Sequence, residues 1–309
     1  MKRMLNIAAG CLALTVLAAP TPADELNRRW VAPDAEWIIH IDVERLRESA
    51  LGKILLSEGD LADAREQIQA ELGVDITKDL HGLTAYGRGD WGDSGVLIAT
   101  STAAADDVLA AIQEQGDGYA SRTVGDRVLH SFDAEDGRVY AYLGERRNDG
   151  RVIVLSDEAE IVMEALRVMS DRDVANTKIE VPSGLMIFAA ASDLDRLPEF
   201  DATSQVLEGA HDVSLAVRED DDATTAQLGV ATESGQQAKD ISAVIQGLFA
   251  AGRLMAGHDE ELAFLTELIN GISVKARGAS LHLSITLSNE MLEEIMEEAG
   301  AHAGDLEWN

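Results

Sequence analysis

His40 and Asp42 stand two residues apart in "WIIHIDVERL" (Trp37 to Leu46), where an apolar run ends. On a strand continuing through Asp42, both side chains project from one side. That placement suits an acid–base pair or a shared metal. Asp42 has a second use, because a carboxylate at the N-cap position accepts a hydrogen bond from the unpaired N–H groups of a helix start. His81 and His211 precede hairpin strands at equivalent places in two halves of the chain. The remaining histidines, His130, His258, His282 and His302, are scattered. No H-E-x-x-H or close His–His spacing supplies a zinc signature.

"GRGDWG" sets Gly87, Gly89 and Gly92 in a G-x-G-x-x-G pattern. Cradling a phosphate needs such glycines between a strand and a helix N-terminus. Here a strand follows, so they read as turn formers. The embedded Arg88-Gly89-Asp90 has Arg218-Glu219-Asp220 in the corresponding place, which reads as coincidence rather than an adhesion motif. The acidic loops Glu219 to Thr224 and Asp133 to Gly137 lack the alternating spacing of an EF-hand, so only weak cation binding is expected there. No G-x-S-x-G elbow marks a nucleophile. Among 56 acids, no carboxylate pair stands out for glycoside chemistry, and 4% aromatic residues leave no stacking platform. Catalytic, cofactor-binding and metal residues are therefore predicted as none, and no cofactor is expected.

The first 23 residues, "MKRMLNIAAGCLALTVLAAPTPA", read as a secretory signal peptide with Lys2 and Arg3 ahead of a short apolar segment. Cys11, the one cysteine, lies within it. The mature chain then has no thiol for disulfides, nucleophilic catalysis or metal binding. No later segment approaches the roughly 20 apolar residues of a spanning helix. The formal charge is −31. The signal segment holds two of the 25 basic residues and none of the acids, so its removal leaves −33. With no basic run, nucleic acid and anionic membrane surfaces are disfavoured partners.

The chain also repeats itself. "LIATSTAAADDVLAAIQ" (Leu97 to Gln113) echoes "LGVATESGQQAKDISAVIQ" (Leu228 to Gln246), and "VIVLSDEAEIVMEAL" (Val152 to Leu166) echoes "LSITLSNEMLEEIMEEA" (Leu283 to Ala299). Thr100 pairs with Thr232, and Leu155-Ser156 with Leu287-Ser288. "HGLTAYGRGD" (His81 to Asp90) matches "HDVSLAVRED" (His211 to Asp220), and "DVERL" (Asp42 to Leu46) matches "DLDRL" (Asp193 to Leu197). Asp42 is thus repeated whereas His40 falls opposite Ala191, which favours a strand-to-helix joint over chemistry.

Each copy reads as hairpins alternating with helices. Strands are expected at Glu36 to Ile41, Leu83 to Gly87, Val96 to Thr100, Val128 to Phe132, Val139 to Leu143 and Arg151 to Leu155. Helices are expected over Ala103 to Gln115 and Glu158 to Met169, the latter presenting Ile161, Ala165, Leu166 and Met169. The second copy has strands at Leu185 to Ala190, Val213 to Arg218, Ala226 to Thr232, Ser273 to Ala276 and Leu281 to Leu287. Its helices are Lys239 to Met255, Glu260 to Ile269 and Met291 to Glu298. Ile241, Val244, Ile245, Leu248 and Phe249 form an apolar face expected to be buried on its own sheet.

The class is α+β: two related halves of antiparallel-rich hairpins and helices. The boundaries are signal peptide 1–23, first half 24–170, linker 171–182, second half 183–299 and tail 300–309. The opening "DAEWIIHIDVERLRES", the strand "VLHSF", the segment "VIVLSDEAEIV" and the late "VIQGL…DEELAFL…ISV" resemble a group of uncharacterised exported bacterial proteins. The resemblance implies compartment and fold but no activity. The expected role is that of an exported, non-enzymatic acidic protein, periplasmic or extracellular. It would act through a protein partner or as an envelope component. The alternatives are an apolar-ligand carrier, with ligand between sheet and helices, and a hydrolase with a dispersed site.

Overall fold

The computed structural model describes residues 26–57, 75–89, 95–134, 137–145, 150–171, 177–192, 194, 210–220, 222–256, 268–292 and 294–295. Outside them lie residues 1–23, expected as a signal segment, the Asp193 to Leu197 match apart from Leu194, most of Glu260 to Ile269 and the tail. The protein is α+β, and its two compact units divide between Ile187 and Phe188.

In the first unit β1 (Trp37–Asp42) leads into α1 (Val43–Glu48) and α2 (Ala50–Ser57), and α3 (Ile76–Asp79) precedes the hairpin β2 (Leu80–Gly87) and β3 (Gly95–Ser101). Then come α4 (Ala105–Gln115), β4 (Asp117–Val124), β5 (Arg127–Ala134), β6 (Gly137–Glu145), β7 (Arg151–Ser156) and α5 (Ala159–Ser170). The strands lie in the order β1-β2-β3-β7-β6-β5-β4, with antiparallel ladders throughout. β3 is buried along its whole length, as expected of an apolar run near the middle of a sheet covered on both faces. β7 alternates buried and half-buried residues. Helix α5 lies against β3, β6 and β7 and buries Ala159, Val162, Ala165, Leu166 and Val168. The predicted face is thus centred on Val162, with Ile161 and Met169 at its half-buried margins.

In the second unit β8 (Ile187–Ala191), β9 (Ala210–Asp220) and β10 (Ala223–Thr232) are followed by α6 (Gly235–Ala256), β11 (Ile272–Arg277) and β12 (Ser280–Ser288). Their order is β8-β9-β10-β12-β11. Taken in chain order, this matches the run β1-β2-β3-β7-β6. Among the described residues of the second unit, β4 and β5 have no counterpart. β4 is the strand absent from the sequence expectation. Its polar "DGYASRTV" carries little alternation, and its register shifts between Asp117 and Ala120. A usable signal was Gly125-Asp126, a two-residue turn with Gly125 at φ 66° joining Val124 to its partner Arg127.

The repeated serines end their strands alike. Ser156 Oγ accepts from the Glu158 N–H (3.3 Å), and Ser288 Oγ accepts from the Met291 N–H (3.2 Å). Each satisfies a backbone donor just beyond its strand, at the start of α5 and of the helical residues 289–292.

Candidate functional site

At the joint after β1, the strand continues through Asp42, yet His40 and Asp42 have separate partners. His40 Nδ1 is 2.9 Å from Thr84 Oγ1. Asp42, fully buried, accepts from the Arg45 backbone N–H at 3.0 Å and from Arg45 Nε at 3.0 Å. Its own N–H donates to Met186 O at 2.8 Å. The buried Glu44 carboxylate contacts His81 Nδ1. Asp42 is a helix cap with an ion pair, and the Glu44–His81 contact ties α1 to β2.

The other histidines are dispersed. His130, buried on β5, meets the Tyr119 hydroxyl at 3.0 Å, and Gln113 Nε2 donates to that hydroxyl at 3.1 Å. Burial lowers the His130 pKa. That shift favours the neutral ring, and its tautomer sets which of Tyr119 and His130 donates. His211 is the second residue of β9, and His282 is exposed on β12. His258 and His302 lie outside the described residues, as do Gly92, Asp221, Glu135 and Asp136 of the glycine pattern and acidic loops. Gly89 occupies a turn at φ 67°. Among the described residues, no three His, Cys, Asp or Glu side chains are grouped to hold a metal.

At the opposite end of the β1–β2 ladder the sheet leaves a cavity. Trp37 pairs with Gly87, and Gly87 with Gly95. The Glu36 N–H extends the ladder to Gly87 O (2.9 Å), while the Ala35 N–H folds back to Ala32 O (3.1 Å). Gly95 is packed under Trp37: a Cβ there would lie 2.9 Å from the indole. Over this corner α5 sets Ile161, Glu164 and Ala165, three and four residues apart and so on one helix face. Ala32, Ala35, Tyr86, Val96, Ile161 and Ala165 enclose a space of about 60 Å³, with Arg88 and Glu164 also in the lining.

Tyr86 is 5% exposed, and among the described residues its hydroxyl completes no hydrogen bond of good geometry. The Ala32 backbone is near enough to act on the phenol as a weak hydrogen-bond partner, which lowers its pKa, but no group among the described residues completes a bond of good geometry. Burial, and then the Glu164 charge, push the Tyr86 pKa up. The side chain is therefore a neutral donor near pH 7 and not a base. At the mouth, one Arg88 guanidinium nitrogen bridges Asp34 Oδ1 (2.8 Å) and Glu164 Oε1 (2.7 Å). Its hydrogen bond to Glu164 leads the interactions that raise the Arg88 pKa. The arrangement can enclose a small apolar group, donate one hydrogen bond to an acceptor attached to that group and screen it with a charged rim.

No protein-family model and no curated protein matches the chain. Among solved structures, crystal form III of TP0453 superposes with a TM-score of 0.49 at 10% identity, covering 91% of this chain and 100% of that one. Crystal form IV of TP0453 gives 0.46 at 10% identity, covering 87% and 95%.

The cavity lies between sheet and helix, but against α5 and not under α6. On α6, Ala238, Ile241 and Ser242 are buried, whereas Val244, Leu248 and Leu254 are exposed. The expectation that the whole apolar face is buried is thus corrected. The helix rests on β10, β11 and β12, and its buried side chains fall within its first two to three turns. Periodicity marks an apolar stripe, while burial also needs a surface beneath it.

Proposed function

We propose that the protein is an exported, non-enzymatic recognition protein built from two copies of one α+β unit. Its first unit anchors a small aliphatic group of a larger partner in the Tyr86 cavity. The cavity with its buried, unpartnered hydroxyl is the observation that carries this reading. A buried hydroxyl without a partner is destabilising by about 1–3 kcal/mol, and an acceptor on an incoming group relieves that loss. About 60 Å³ is far below the roughly 300–1,000 Å³ of sites that enclose a whole small molecule. That size suits the tip of a larger partner better than a carried ligand. Export is supported by the first 23 residues, and duplication by the shared order of five strands and the paired serines.

The test is an NMR titration of the mature chain with isobutyramide, an isopropyl group attached to a hydrogen-bond acceptor. Saturable shifts at Tyr86, Val96 and Ala165 are expected, weakened in Tyr86→Phe and abolished when Ile161→Phe fills the cavity. A wild-type protein with no saturable response at these residues contradicts the proposal.

A further inference from the structure

We infer that the group received by this cavity is a valine- or leucine-sized side chain of a basic polypeptide segment. This rests on the reading of the cavity as an anchor site and adds the class of its partner. The space fits one branched aliphatic tip. Arg88 and Glu164 at its mouth are 47% and 40% exposed, so the group must continue outward into solvent. The Tyr86 hydroxyl needs an acceptor, and a peptide carbonyl beside an aliphatic side chain supplies one.

The rim decides the sign of the partner. Arg88 is shared between Asp34 and Glu164, so among the described residues the mouth carries two carboxylates against one guanidinium. Asp34 is 61% exposed, which leaves its carboxylate open to an additional cation. The chain charge of −31 acts in the same direction over longer range, drawing a positive segment and repelling an acidic one. An aliphatic residue flanked by lysine or arginine satisfies cavity, hydroxyl and rim together.

The experiment compares two end-capped peptides, Gly-Lys-Val-Lys-Gly and Gly-Glu-Val-Glu-Gly, binding to the mature chain at low ionic strength. The lysine peptide is expected to bind about tenfold more tightly and to weaken as salt is added. Replacing its valine by alanine is expected to lose a further factor of about ten, the scale of burying a valine side chain. Asp34→Asn with Glu164→Gln, both at exposed positions, removes the preference for lysine. Equal binding of the two peptides, with isobutyramide still bound, overturns the basic partner and leaves the cavity reading standing. Free isobutylamine binding as tightly as the lysine peptide overturns the polypeptide source. Failure of every probe, isobutyramide included, removes the anchor site itself and this inference with it.

Discussion

Helix α5 in the first unit and helix α6 in the second follow the same amphipathic rule but meet different surroundings. α5 has 12 residues and buries five side chains on β3, β6 and β7. α6 has 22 residues, about 33 Å at helical rise, and is covered mainly near its N-terminal end. Leu248 is 63% exposed, while Val162 is fully buried. Apolar content therefore does not say which helix is a structural wall. The strands beneath it do. The same contrast locates the cavity: α5 lies close enough to its sheet to roof a corner.

The sharpest challenge to this contrast is a matched pair of substitutions. Val162→Asp places a carboxylate in the packed α5 face and is expected to destabilise by at least about 3 kcal/mol. Leu248→Asp is expected to change stability by no more than about 0.5 kcal/mol. Urea denaturation of both variants measures the difference, and equal losses would erase the distinction between the helices.

Three further substitutions, with Ser156 and Ser288 as the matched pair, compare the units at their joints. Asp42→Ala removes a cap and a carboxylate partner of Arg45, and about 1–2 kcal/mol should be lost. Ser156→Ala is expected to be similar, at about 1–2 kcal/mol. Ser156 is fully buried and its hydroxyl also donates to Gly95 O (2.7 Å). Ser288→Ala should lose only about 0.5–1 kcal/mol, because that serine is exposed. A larger loss at Ser288 than at Ser156 in thermal melts would reverse the ranking of the units.

The smallest effect concerns acid. The folded pKa of His130 is depressed by burial, so the unfolded chain takes up this proton first as pH falls. Its contribution is fully present above about pH 6.5, the ordinary histidine value, and is lost below it as pH falls through the folded pKa. Wild type should lose stability relative to His130→Gln between pH 7 and pH 5. Parallel pH profiles would mean that Tyr119 and His130 tolerate the charge.

The β2–β3 and β6–β7 hairpins, α5 and the Asp42 cap were legible because each is written locally, in alternation, helical spacing or a capping side chain. β4 was not, because an exposed edge strand needs no apolar alternation and the Gly125-Asp126 turn is its one local mark. The cavity had no local signature at all. Ala32, Tyr86, Val96 and Ala165 are brought together only when α5 settles on the β2–β3 hairpin. Arg88, read as part of a coincidental tripeptide, acquires its place from Asp34 and Glu164, 54 and 76 residues away.

The hairpin of β4 and β5 has one further consequence. It joins the first sheet beyond β6, at the end of the ladder, so docking it breaks no bond among the inner strands. A chain can lengthen at such a margin while its older pairings keep their register. The outer hairpin can thus vary in sequence while the ladders of β1, β2, β3, β7 and β6 keep their register.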